Sequence, residues 1–243
     1  MTMKHKNSRK MLLRSALTVA FAGLLAGLPA LASAQATANL DGTWKLATPQ
    51  VALKPADGGE IPFTKDGKSY YDQNRKSAAK KDIDFDQSAS VCSSPGLPRL
   101  MLTADRFRIF QRERVVTMLF EWNRLFRQID LRSGEQKEPE VGTMNGLSFG
   151  KWEGDTLVVS SFGFLPDKLL DNYVSGSEQL KLVERLRLKD QNTLEDRITI
   201  TDPQNFTRPW ETVLTYKRQP DQAFPEDNCL DRKVAGQKVL WPR

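Results

Sequence analysis

The sequence predicts an all-β protein whose strands close into an antiparallel barrel. Three observations predict it. Phe149-Gly150-Lys151-Trp152, then Gly154-Asp155, then Leu157-Val158-Val159 read as strand, two-residue turn, strand. Similar runs of β-branched and apolar residues lie on both sides of this hairpin. Their close spacing, with short turns between, suits a meander closed into a barrel, or else a sandwich.

The N-terminus reads as an export signal. Residues 1–15 carry Lys4, Lys6, Arg9, Lys10 and Arg14; an apolar run from Ala16 to Leu31 follows, and Ala32-Ser33-Ala34 supplies small residues for cleavage. Gly23, Gly27 and Pro29 interrupt the run, which falls short of a membrane span. The expected organisation is therefore a signal peptide over 1–34 and one barrel domain over 35–243. The mature protein is expected to be periplasmic or secreted, with no membrane anchor.

The charge argument changes once the signal is removed. The whole chain is +6, but residues 1–34 hold five basic and no acidic residues, leaving 36 − 5 = 31 basic against 30 acidic. A charge near +1 gives no footprint for nucleic acid. The single histidine, His5, leaves with the signal. Histidine-based triads and the common zinc sites are thereby excluded. No metal and no cofactor are expected, and any acid–base work falls to carboxylates, tyrosine, lysine or water. Cys92 and Cys229 are most simply a disulfide in an exported protein; two buried thiols are the alternative.

Along the mature chain, Leu40 to Leu46 alternates and contains Gly42-Thr43-Trp44, a Gly-x-Trp often found in the first strand of lipocalin-like (calycin) barrels. The polar stretch 47–90, with Pro49, Pro55, Gly58-Gly59 and Pro62, reads as a long wrapping segment with one short helix near Tyr70 to Lys80. Strands are then expected over 107–111, 115–122, 125–131, 147–152, 156–162, 180–188, 194–201 and 210–218. Residues 163–178 are long for a hairpin link; they read as a lid over the barrel mouth, with a helical turn after Pro166, and include Tyr173.

Alternation names the candidate site. Leu180, Leu182, Leu186 and Leu188 share a face with Glu184. Leu194, Ile198 and Ile200 share one with Asp196. Leu125, Ile129 and Leu131 share one with Arg127. If these faces line one core, a three-residue loop sets Glu184 opposite Asp196; a five-residue loop sets Asp196 opposite Leu186, diagonal to Glu184. Two carboxyls in an apolar interior need a partner, and at least one should hold its proton unusually firmly. That is the condition for a general acid or base without histidine. Arg127 would be the counter-charge. Trp122, Trp210 and Tyr216 fall on apolar faces, as wall of a cavity or as core.

Trp152-Glu153-Gly154-Asp155-Thr156-Leu157-Val158-Val159, Val183-Glu184-Arg185, Thr193-Leu194-Glu195-Asp196-Arg197 and Pro209-Trp210 together resemble a group of secreted bacterial proteins with the Trp-Glu-Gly-Asp-Thr-Leu-Val-Val signature. Cys92…Pro95-Gly96-Leu97-Pro98-Arg99 and Pro225 to Cys229 also fit that group. The resemblance implies a lipocalin-like barrel and an association with cofactor-free cleavage of lignin-derived aromatics. Relatives commonly carry histidine at the positions of Gly176 and Lys181, so chemistry that uses those histidines is not expected here.

The expected function is binding of a small, mostly apolar and aromatic molecule in the lumen. Glu184 and Asp196 would be catalytic if there is turnover, as a lyase or isomerase, with Arg127, Trp122, Trp210, Tyr216 and Tyr173 holding the ligand. A carrier without turnover and a structural envelope protein with a filled core are the rivals.

Overall fold

The structure is a computed structural model, and it describes Thr2 and residues 37–239 apart from 135 and 167. The expected signal peptide lies almost wholly outside the described residues. Strands β1 (Gly42–Leu46), β2 (Phe107–Gln111), β3 (Val115–Phe120), β4 (Phe126–Asp130), β5 (Leu147–Glu153) and β6 (Thr156–Phe162) come first. A short pair, β7 (Lys168–Leu169) and β8 (Ser175–Gly176), precedes β9 (Lys181–Asp190), β10 (Thr193–Thr201) and β11 (Trp210–Gln219). All but β7 and β8 form one closed barrel in the order β1-β11-β10-β9-β6-β5-β4-β3-β2, and β2 pairs with β1 to close it. The protein is a closed nine-stranded β-barrel.

The β5–β6 hairpin turns as the sequence implies. Gly154 takes φ +63° at the first central position of the turn, where a side chain would be strained. The registers β5–β6, β6–β9, β9–β10 and β10–β11 are antiparallel and long, as alternation demands. One junction departs from the antiparallel expectation. β4 and β5 run parallel and are joined through just two residue pairs, Ile129↔Ser148 and Asp130↔Phe149. A parallel neighbour needs a long return, and residues 131–146 supply it.

The strand expected over 115–122 ends sooner, at Phe120. Glu121 already has helical dihedrals (φ −64°, ψ −37°) and Asn123 and Arg124 both adopt φ +49°, so Trp122 sits in a tight turn. There its indole N–H donates to the Val239 carbonyl at 2.9 Å.

The wrapping segment is real and runs along β11. Ala47 N donates to Thr215 O, and Ala56 N to Glu211 O. Its helix α1 (Lys65–Ala79) starts five residues earlier than the expected Tyr70. Thr64 caps it by accepting from Gly67 N at 3.0 Å. Gly67 is required there because a Cβ would sit 2.2 Å from the Asn205 carbonyl oxygen. A second short helix, α2 (Gln87–Ser90), leads to Arg99, which is buried and paired with Asp86 at 2.7 and 2.8 Å.

Residues 163–178 contain the β7–β8 pair; the helical turn expected after Pro166 is not there among the described residues. Leu169, Leu170 and Val174 are buried, so this segment packs into the core. Asp171 fastens it to the wrapping segment by accepting from Leu53 N, and it also accepts from Tyr173 N and Val174 N.

Cys92 and Cys229 form a disulfide across a sequence separation of 137 residues. It holds α3 (Cys229–Val234) against the segment that enters the barrel. In the chain-entropy model, closing so long a loop stabilises by about 4–5 kcal/mol. The Cys92→Ser/Cys229→Ser double variant is accordingly expected to lose several kcal/mol in urea denaturation. An unchanged midpoint would refute that role.

Candidate functional site

Five adjacent barrel strands each contribute one polar side chain to a single buried array. Arg127 comes from β4, Ser148 from β5, Ser161 from β6, Glu184 from β9 and Asp196 from β10. Arg127, Glu184 and Asp196 are 3%, 1% and 0% exposed, so all three expected charged groups face the interior.

Arg127 organises the array. Its Nε donates to Ser148 Oγ at 3.1 Å and its Nη2 to Ser161 Oγ at 3.0 Å. Nη1 meets Glu184 Oε1 at 2.8 Å, while Nη2 closes the second arm of a bidentate pair on Oε2. The two serine hydroxyls are 2.9 Å apart. Planar, forked donation to a carboxylate is the geometry arginine is built for. Removing one member of so buried a pair would strand the other, a loss of about 3–5 kcal/mol.

Asp196 has the opposite character. Asp196 pairs with Leu186, and Glu184 with Ile198, so the two carboxyls are diagonal neighbours, the second of the two expected registers. A bulge between Thr193 and Leu194 lets the hairpin close tightly while keeping that register. Neither oxygen of Asp196 meets an N–H or O–H donor among the described residues. The group it does face is the Glu184 carboxyl. Two carboxylates are acceptors only and can join only through a proton. Burial, then the charge of Glu184, pushes the Asp196 carboxyl well above its ordinary range, against the opposing pull of Arg127. The array therefore reads as Arg127 paired with Glu184, and Asp196 as the neutral acid that donates to it. Tyr216 adjoins the pair, and burial, the largest cause, raises its phenol well above the ordinary value.

The expected aromatics do not come together at this array as a ligand wall. Tyr216 donates to Met101 O at 3.1 Å and stands edge-on to Phe107 at 4.9 Å. Trp210 stands edge-on to Phe206, its indole nitrogen buried without a partner among the described residues. Trp122 lies beneath the C-terminal tail, and Tyr173 stands half-buried against Tyr71. None of these, nor Glu184 or Asp196, lines any of five surface pockets in the structure. Around the array the interior is packed with Met118, Leu157, Leu186 and Leu214.

The opening is instead in the wall. Where β4 and β5 splay apart beside their two bridging pairs, a cleft of about 560 Å³ forms. Arg127 and Ser148 lie along it, so its inner end touches the buried array. Phe126, Leu147 and Phe149 supply its apolar walls, and Arg114, Gln128 and Arg132 stand at its rim. Phe126 is 62% exposed, unusual for a phenylalanine on a strand.

Besides Arg99 and Arg127, a third basic side chain is buried elsewhere. Lys168 donates to Leu97 O, and its Nζ sits 4.1 Å above the Phe164 ring. Burial draws its amine down to about 7, only partly offset by Asp202.

No protein-family model matches the chain, and no curated protein matches it. Among solved structures, a point mutant of the fluorescent protein UnaG matches with a TM-score of 0.33 and 13% identity, covering 75% of this chain and 97% of that one. That match says nothing about what this chain binds.

The proton on Asp196 has a pH signature. The unfolded chain releases it near pH 4, whereas the native carboxyl releases it higher. Between those values the native state binds more protons, so rising pH costs stability. The Asp196→Asn variant lacks this term. Its stability relative to the parent is expected to climb as pH rises above about 4 and to level off once the native group ionises. A pH-independent difference in denaturant midpoints would contradict the assignment.

Proposed function

We propose that this is an exported small-molecule-binding barrel whose ligand enters through the β4–β5 cleft and meets the Arg127-centred array at its inner end. One observation carries the reading: Arg127 and Ser148 of the buried array also line the cleft, whose volume of about 560 Å³ lies within the range of ordinary small-molecule sites. Apolar walls with a few convergent polar groups are also what such sites present. The reading moves the ligand from the packed interior to the wall. Export is supported by the three-part N-terminus, and a disulfide suits an oxidising compartment.

One observation favours a second reading, turnover by carboxylate acid–base chemistry. Asp196 is a buried carboxylic acid with no donor to either oxygen and a partner that can take its proton. Such a group can hold a proton and pass it to Glu184, a store that a cofactor-free lyase or isomerase would draw on through the array. Arg127 would then face developing negative charge.

Gln128 is exposed and lines the cleft without joining the core. Gln128→Trp is therefore expected to fold normally and to fill the cleft. Native mass spectrometry of protein purified from its producing cells should show a retained small molecule on the parent and loss of it in the variant. Equal retention by both would place the ligand elsewhere.

A further inference from the structure

Each cation of the cleft has an answer except one. Arg127 is paired inward with Glu184. Arg132 is clamped to Asp130, its Nε at 2.9 and 3.1 Å from the two carboxylate oxygens. Arg114 makes no ion pair among the described residues, and its side chain is exposed at the rim. Among the described residues Asp130 is the one carboxylate lining the cleft, and Arg132 already neutralises it.

The walls beside this surplus charge are flat and apolar. Phe149 stacks on Phe162 with ring centres 5.6 Å apart and planes 19° from parallel. Phe126 leaves most of its surface in water on the opposite lip. A planar ring can cover both surfaces, and an exposed aromatic gains by being covered.

We propose that the cleft selects planar aromatic anions, carboxylates above all, with the ring between Phe126 and Phe149 and the negative group against Arg114. The proposal rests on the cleft being the ligand site and names the class of molecule that fits it. A guanidinium offers a carboxylate paired donors in one plane, which a neutral polar group cannot match. Arg114 is exposed, so the attraction is screened by salt, and affinity should weaken as ionic strength rises.

Titration calorimetry with naphthoate and with uncharged naphthylmethanol tests this. Naphthoate is expected to bind about tenfold more tightly than the alcohol. Arg114→Gln should remove that preference while leaving the alcohol unaffected, and its thermal midpoint should match the parent's. Equal affinity for the two probes, no binding of naphthoate, or an Arg114→Gln variant that keeps the preference would each overturn the proposed class. The Gln128→Trp variant separates the two levels. If it blocks both probes while charge proves irrelevant, the cleft stands and the class falls. If it leaves naphthoate binding intact, the cleft itself is wrong.

Discussion

One ion pair makes the interior of this barrel tolerable. Arg127 reaches from β4 to Glu184 on β9 and satisfies two serines on the strands between them. Taking either charge out of water alone would cost several kcal/mol. Held together, the two carry their own hydrogen bonds and leave a third group, Asp196, without a cation of its own. The proton on Asp196 follows from that count: one guanidinium, two carboxyls and no further donor.

The same region is where the wall is weakest. Elsewhere neighbouring strands pair over three to nine residues, but β4 and β5 share two pairs and run parallel. Short pairing beside a long return segment leaves a gap, and the gap lies over Arg127 and Ser148. The array is almost wholly buried, yet two of its members, Arg127 and Ser148, also line the cleft.

Much of this was legible in the residues. Period-two alternation put Glu184, Asp196 and Arg127 on inward faces, because each interrupts an otherwise apolar row. Ser148 was hidden for the converse reason. Leu147 and Phe149 flank it and suggest that their own face is buried, whereas Leu147 is exposed at the cleft. The parallel β4–β5 junction is a long-range choice that no local pattern records. Trp122 lies off its expected strand because the chain turns helical at Glu121 and left-handed at Asn123 and Arg124. The aromatics Trp210 and Tyr216 were correctly inward, but inward meant packed against Phe206 and Phe107 rather than facing a cavity. Lys168 gave no signal, since its burial depends on contacts with Leu97 and Phe164 made only in the folded chain.

Infrared difference spectroscopy is the most direct test of the central claim, that Asp196 holds its proton well above the usual carboxylate range, facing Glu184. The spectrum of the parent minus that of Asp196→Asn should contain the carbonyl stretch of a protonated carboxylic acid, shifted on exchange into heavy water. A difference spectrum showing only the bands of an ionised carboxylate would contradict the account.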